Sequence, residues 1–199
     1  MSTKSSARER IIDAAEQVVL EEGASHMTMD AVAAKAGVSK GGLIYHFPSQ
    51  RDLLQAMLQR FVDRVETRMA QAREELPESP VRNIKAYIHA WFTLGSEYRR
   101  TASALLATIT REPELLQTVQ KKHRAVLAEI IEAAPNPELA IVLSLATEGM
   151  WMSELLNISP LADHERARIQ QLLLKLADEW LEPSGIPSAL KSARCKRKG

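Results

Sequence analysis

Eight consecutive residues, Ser39 to His46 (SKGGLIYH), carry side chains suited to gripping a polyanion. Ser39 brings a hydroxyl, Lys40 an ammonium, Tyr45 a phenol and His46 an imidazole, all donors for phosphate oxygens and base edges. Gly41 and Gly42 stand among them, and inside a helix each costs roughly 0.8–1 kcal/mol relative to alanine. Something must offset that cost. A helix start that comes close to a DNA backbone does so, because its free amides and its dipole attract phosphate.

The surrounding residues explain how such a helix is held. Thr28 caps a short helix with Asp30 in its first turn, and Gly37 stops it. Ser39 opens a second short helix that Pro48 ends near Phe47, since the residue before proline is biased away from helical angles. Two short helices around a glycine turn make a helix-turn-helix, whose second helix enters the major groove. Val32, Ala33, Ala36, Val38 and Phe47 are expected to pack this unit, leaving Ser39, Lys40, Tyr45 and His46 outward. Ahead of it, Ile11, Ile12, Ala15, Val18 and Val19 stripe a first helix from about Ser6 to Glu22, stopped by Gly23. Behind it, Ser49 and Asp52 form a capping signature for a long fourth helix that runs to Leu76 before Pro77.

Helical periodicity continues to the end, without the alternating β-branched runs of a sheet. Pro80 starts a helix bearing Val81, Ile84, Ile88, Trp91 and Phe92, and another follows from about Arg99 to Thr110. Glu112-Pro113 starts a helix in which His123 interrupts the stripe of Leu116, Val119 and Ile130. Asn136 and Pro137 cap the next, and Asp163 the last, which runs to about Leu181. The expected fold class is all-α with about nine helices. Residues 1–48 form a helix-turn-helix domain, the fourth helix (49–76) links it to the core, and 49–182 form a sensing and dimerising domain. Residues 183–199 read as a disordered basic tail.

Composition narrows the function further. The 199 residues are 45% hydrophobic and 26% charged with a net charge of +1, so a positive footprint for nucleic acid must be local. A single cysteine, Cys195, forms neither an internal disulfide nor a zinc site. No run approaches the ~20 apolar residues of a membrane span, and a cytoplasmic protein is expected. The five histidines are scattered, without an H-E-x-x-H pair, a phosphate loop or a nucleophile elbow. No enzyme activity, metal or cofactor is expected.

The segment Thr28 to Leu53, TMDAVAAKAGVSKGGLIYHFPSQRDL, resembles the N-terminal signature of the tetracycline-repressor (TetR) family. The resemblance implies a homodimeric bacterial repressor with recognition helices in successive major grooves of operator DNA. It also implies a small-molecule pocket in a variable helical core, whose effector makes the fourth helix pivot and releases the DNA. By this resemblance Thr28, Ser39, Lys40, Gly41, Gly42, Tyr45 and His46 fall at or beside DNA-contacting positions. Gln50 and Arg51 stand where the family often has a phosphate-contacting lysine.

The C-terminal half agrees with that expectation. From Leu139 to Thr147 a helix is without charge, and Gly149, Met150, Trp151 and Met152 continue it. A helix apolar on all sides is buried on all sides, here by its own core and by a second subunit. Leu139, Leu143 and Thr147, with Ile169, Leu173, Leu176 and Trp180 of the last helix, are the expected dimer interface. Trp91, Phe92, His123, Met150, Trp151 and Met152 are candidates for a pocket that takes a small apolar or aromatic effector. Packed solid, the same core would instead belong to a DNA-binding dimer regulated by a protein partner or by abundance.

Overall fold

The structure is a computed structural model that describes residues 6–23, 26–109 and 113–181. Among these, nine α-helices and no strand are found: α1 (Ala7–Glu22), α2 (Met29–Ala36), α3 (Lys40–His46), α4 (Gln50–Glu75), α5 (Arg82–Phe92), α6 (Ser96–Ile109), α7 (Leu116–Ala133), α8 (Pro137–Leu155) and α9 (Asp163–Leu181). A 3-10 turn, Pro113–Leu115, precedes α7. The expected basic tail, Cys195 included, lies outside the described residues. Two compact units form, Met1–Arg64 with Gly95–Lys122 and Val65–Leu94 with His123–Gly199.

In the first unit the α1 stripe closes against α2, α3 and the start of α4. Ile11, Ile12, Ala15, Val18 and Val19 meet Val32, Ala33, Leu43, Phe47, Leu53 and Met57, all buried. Each large aliphatic side chain buried there contributes about 1.5–3 kcal/mol. The first half of α4 is thus part of this core. Polar ties reinforce it: Arg60 of α4 donates to Asp13 at 2.5 Å and to Glu9 at 2.6 Å on α1. Burial alone would lower the Arg60 pKa, but hydrogen bonds to Asp13 and Glu9, with Glu16 nearby, raise it, so the guanidinium stays charged. Arg64 lies over the Tyr98 ring at 5.0 Å, and Arg100 donates to the Leu20 carbonyl at 3.1 Å, which binds α6 to α4 and α1.

In the second unit α5 packs against α8 and α9. Ala140, Leu143, Ser144, Thr147, Trp151 and Leu155 form the buried face of α8, at steps of three and four residues. The buried hydroxyls of Ser144 and Thr147 donate to the carbonyls of Ala140 and Leu143, one turn back. Lys85 pairs with Asp178 at 2.8 Å and Tyr87 donates to Glu148 at 2.6 Å, so α5 is fastened to both neighbours.

Helix starts differ from expectation in four places, the first being α7, which begins at Leu116 after the 3-10 turn rather than at Pro113. The helix expected from Pro80 begins at Arg82, after Val81, which makes no side-chain cap. The one expected from Arg99 begins at Ser96. Asp163 is the first residue of α9 rather than its cap, and the Ala162 amide donates to Glu165 at 2.9 Å. That reciprocal bond from a glutamate inside the first turn satisfies an N-terminal donor without a capping side chain.

Candidate nucleic-acid interface and candidate ligand cavity

Local bonds set the angle between α2 and α3. Gly37 adopts the left-handed conformation (φ 65°, ψ 36°), its amide bonds the Ala34 carbonyl at 3.2 Å, and the Val38 amide bonds the Ala33 carbonyl at 3.1 Å. This is a Schellman ending, which favours glycine because a β-carbon resists positive φ. Ser39 is extended and its Oγ accepts the Gly42 amide at 3.0 Å, while Thr28 Oγ1 accepts the Ala31 amide at 3.2 Å. Leu43 and Phe47 turn one side of α3 into the core. The other side carries Lys40, Gly41, Ile44 and Tyr45 into solvent, with Tyr45 84% exposed. The ring of Tyr45 stands edge-on to His46 at 5.2 Å.

The two glycines of α3 differ in their surroundings. A β-carbon at Gly42 would stand 3.2 Å from Ser39 Oγ, so glycine there spares the cap. A β-carbon at Gly41 would meet nothing within 4 Å, and its φ is not positive. Nothing among the described residues requires glycine at position 41. Lys40 Nζ lies 2.9 Å from Asp30, with the two side chains 60% and 70% exposed. A pair so exposed is worth about 0–1 kcal/mol, so Lys40 gives it up readily to a phosphate.

The two residues at the start of α4 are otherwise engaged. Gln50 Nε2 donates to the Met27 carbonyl at 2.7 Å, anchoring α4 to the approach to α2, and Arg51 pairs with Glu114 at 2.5 Å. Arg8 was not expected at this site; its guanidinium lies 5.1 Å over the ring of Phe47 and so places a cation beside the end of α3.

In the second unit a small cavity is lined by Trp91, Phe92, Thr147, Met150, Trp151, Glu154 and Arg166, with a volume of about 10 Å³. That is room for about one water molecule. Trp91 and Trp151 meet edge to face at 4.8 Å. Arg166 of α9 closes the space: its Nε donates to Glu154 at 2.5 Å, its Nη2 to the Phe92 carbonyl at 2.9 Å, and its guanidinium lies 4.9 Å over the Phe92 ring.

Four of the expected pocket residues, Trp91, Phe92, Met150 and Trp151, line this cavity. His123 and Met152 do not. His123 is partly exposed with Nε2 3.7 Å from Glu148, and Met152 lies 44% exposed on the outer side of α8. Thr147, Glu154 and Arg166 were not expected in the lining, because their approach depends on how α8 and α9 are rotated. Next to the cavity, burial and then Glu148 raise the pKa of Tyr87, against the opposing effect of Trp91.

The outer face of α8 carries side chains other than those of the expected interface. Leu143 and Thr147 are buried within the unit, as is Leu173 of α9. Leu139, Ile169 and Leu176 are half-buried. The exposed apolar side chains are their neighbours Ile141, Val142, Leu145, Met152 and Leu156, with Leu172 on α9. The side chain of Trp180 lies outside those described. No described helix is long and apolar enough to cross a membrane, and no cluster of potential metal ligands occurs among the described residues.

The chain matches known proteins along most of its length. The family of bacterial regulatory proteins named for tetR matches residues 11–57, and the tetracyclin repressor-like C-terminal domain matches residues 81–178. The HTH-type transcriptional regulator EthR of Mycolicibacterium smegmatis is 27% identical over 87% of this chain and 84% of its own. A solved TetR-family regulator from Rhodococcus sp. superposes with a TM-score of 0.68 at 22% identity, covering 87% of this chain and 98% of that one. The multidrug binding protein EbrR, solved with ethidium, superposes at 0.60 with 23% identity, over 84% of this chain and 98% of that one.

Proposed function

Because the chain belongs to the TetR family of bacterial regulatory proteins, we propose that it is a homodimeric repressor that holds operator DNA through α3 until a small molecule binds its C-terminal unit. Gly41 carries the DNA reading. It sits in the first turn of a short exposed helix, pays the entropic penalty of glycine, and has open space where a β-carbon would go. A phosphate approaching the amides of that turn gives the missing reason for glycine. Ser39, Lys40, Tyr45 and His46 surround the approach with donors, and Thr28 stands at the cap of the supporting helix. Gln50 acts as an anchor of α4, with Arg51 beside it as a further candidate for phosphate.

The dimer reading rests on the outer face of α8. Five large apolar side chains there, Ile141, Val142, Leu145, Met152 and Leu156, are 40% to 58% exposed, an apolar stripe of the kind that marks an interaction surface. A two-fold pairing of this face buries the same residues on both subunits. The interface therefore uses these side chains in place of Leu143, Thr147 and Leu173.

A ligand-sensing role is supported by the aromatic walls around Trp91 and Trp151 and by EbrR, a multidrug binding protein of the same fold. A second reading, regulation by a protein partner or by abundance, is favoured by the small cavity volume of about 10 Å³, far below the ~300 Å³ of a drug-sized site. The two readings differ on whether anything opens that space.

Selection of genomic fragments by the purified protein tests the DNA function. A palindromic site should be enriched by the wild type and lost in a Lys40→Ala, Tyr45→Ala double variant. Recovery of random fragments by both proteins would refute it.

A further inference from the structure

We infer that Ile44 selects operator sequence by packing on the C5-methyl group of a thymine in the major groove. The inference rests on the reading of α3 as the DNA-facing helix, and it adds a base-selecting residue to the phosphate-binding groups there.

Among the described residues of the first unit, the large hydrophobic side chains exposed to solvent are Ile44 (43%) and Tyr45 (84%), neighbours on α3. The other exposed ones all belong to the second unit. Elsewhere the first unit buries its large apolar groups well: Leu43 and Phe47, which flank the pair, are 0% and 2% exposed. Isoleucine at an exposed helical position does nothing for the free protein, because the β-branch restricts its rotamers and its apolar surface stays in water.

The chemistry of the side chain decides what covers it. Ile44 has neither donor nor acceptor, so it gains nothing from phosphates, sugars or the polar edges of bases. The apolar group that the major groove presents is the thymine methyl. Lys40 stands one turn before Ile44, and Tyr45 and His46 follow it, so an apolar residue sits among donors suited to phosphate oxygens. That is the arrangement of a base reader held in register by backbone contacts. Gly41, three residues earlier, lies on the same side of the helix, and the space where its β-carbon would stand is open. No side chain at that position screens Ile44 from a base edge. A stable protein contact needs about 800 Å² from each partner, far more than two adjacent side chains supply, so DNA is the occupant that fits.

Replacing thymidine by deoxyuridine removes this methyl and keeps every hydrogen-bonding group of the base. Fluorescence anisotropy at fixed salt, on the operator recovered by genomic selection, compares duplexes with the replacement at one dyad-related pair of positions at a time. One buried methyl is worth about four-fold in affinity, so the wild type should lose about that factor per half-site at one pair of positions. Ile44→Ala should bind the thymine and uracil duplexes equally, while Ile44→Val, which keeps the β-branch, should retain most of the preference. Because position 44 is exposed, both free variants should melt as the wild type does. Wild-type affinity that ignores uracil at every position, or a thymine preference that Ile44→Ala keeps in full, would overturn the inference and leave the DNA-binding reading standing. Recovery of no preferred fragment would refute the DNA-binding reading itself, and this inference with it.

Discussion

Replacing Gly41 with alanine should move stability and DNA affinity in opposite directions. The added methyl meets no atom within 4 Å and the backbone is not in the left-handed region. The free protein therefore gains only the smaller backbone entropy of the unfolded chain, about 0.5–1 kcal/mol. For a chain of this size that raises the melting midpoint by roughly 1–4 °C. Gly42→Ala is the control, because its methyl would lie 3.2 Å from Ser39 Oγ. Disturbing that cap forfeits part of the ~0.5–2 kcal/mol a serine cap supplies, which cancels the gain. On DNA the Gly41 methyl stands between the helix amides and the phosphate. Losing a hydrogen bond to a charged group costs about 1.5–3 kcal/mol, a drop of roughly ten- to a hundred-fold in affinity. Thermal melting of the free protein and anisotropy with an operator duplex at fixed salt give the two numbers. A Gly41→Ala protein that melts lower than wild type, or binds operator equally well, would refute the reasoning.

Three further outcomes follow from the geometry. Lys40→Ala should weaken binding to all DNA sequences by the same factor and reduce the salt slope by about one unit; a selective loss at one base pair would make Lys40 a base reader. Leu145→Glu, on the exposed side of α8, should give a folded monomer by sedimentation at micromolar concentration, whereas Leu143→Glu, 2% exposed, should unfold the chain by circular dichroism. Tyr87 has a raised pKa from burial and from Glu148, so above about pH 10 the unfolded chain ionises first and stability falls as pH rises. In urea titrations between about pH 9 and pH 11, Tyr87→Phe should show a shallower fall than wild type; an identical fall would refute that assignment.

The first unit was legible because its determinants are local. Thr28, Ser39 and Gly37 act within four residues of themselves, and the structure places each as cap or turn where the sequence put it. What the sequence withheld in this region was longer in reach. Gln50 bonds the Met27 carbonyl, 23 residues away, and Arg60 clasps α1 from α4. The inward side of α8 was not legible for a different reason: the helix is apolar around its whole circumference, so no periodic stripe sets which side faces inward. The expected set of Leu143 and Thr147 is consequently rotated from the outward set of Ile141, Val142 and Leu145. His123 looked like a polar group inside an apolar stripe, but that side of α7 is partly exposed. Glu154 and Arg166 gave no signal at all, since their pairing across two helices exists only once α9 folds back.

The central claim is that two copies of this chain present α3 to one face of operator DNA. Hydroxyl-radical footprinting of an operator recovered by genomic selection measures this directly, with the mass of the complex determined in parallel by sedimentation. The account predicts two protected patches, related by a dyad, on the same face of the duplex about one helical turn apart, bound by an even number of protomers. A single unpaired patch, or one protomer per duplex, would contradict it.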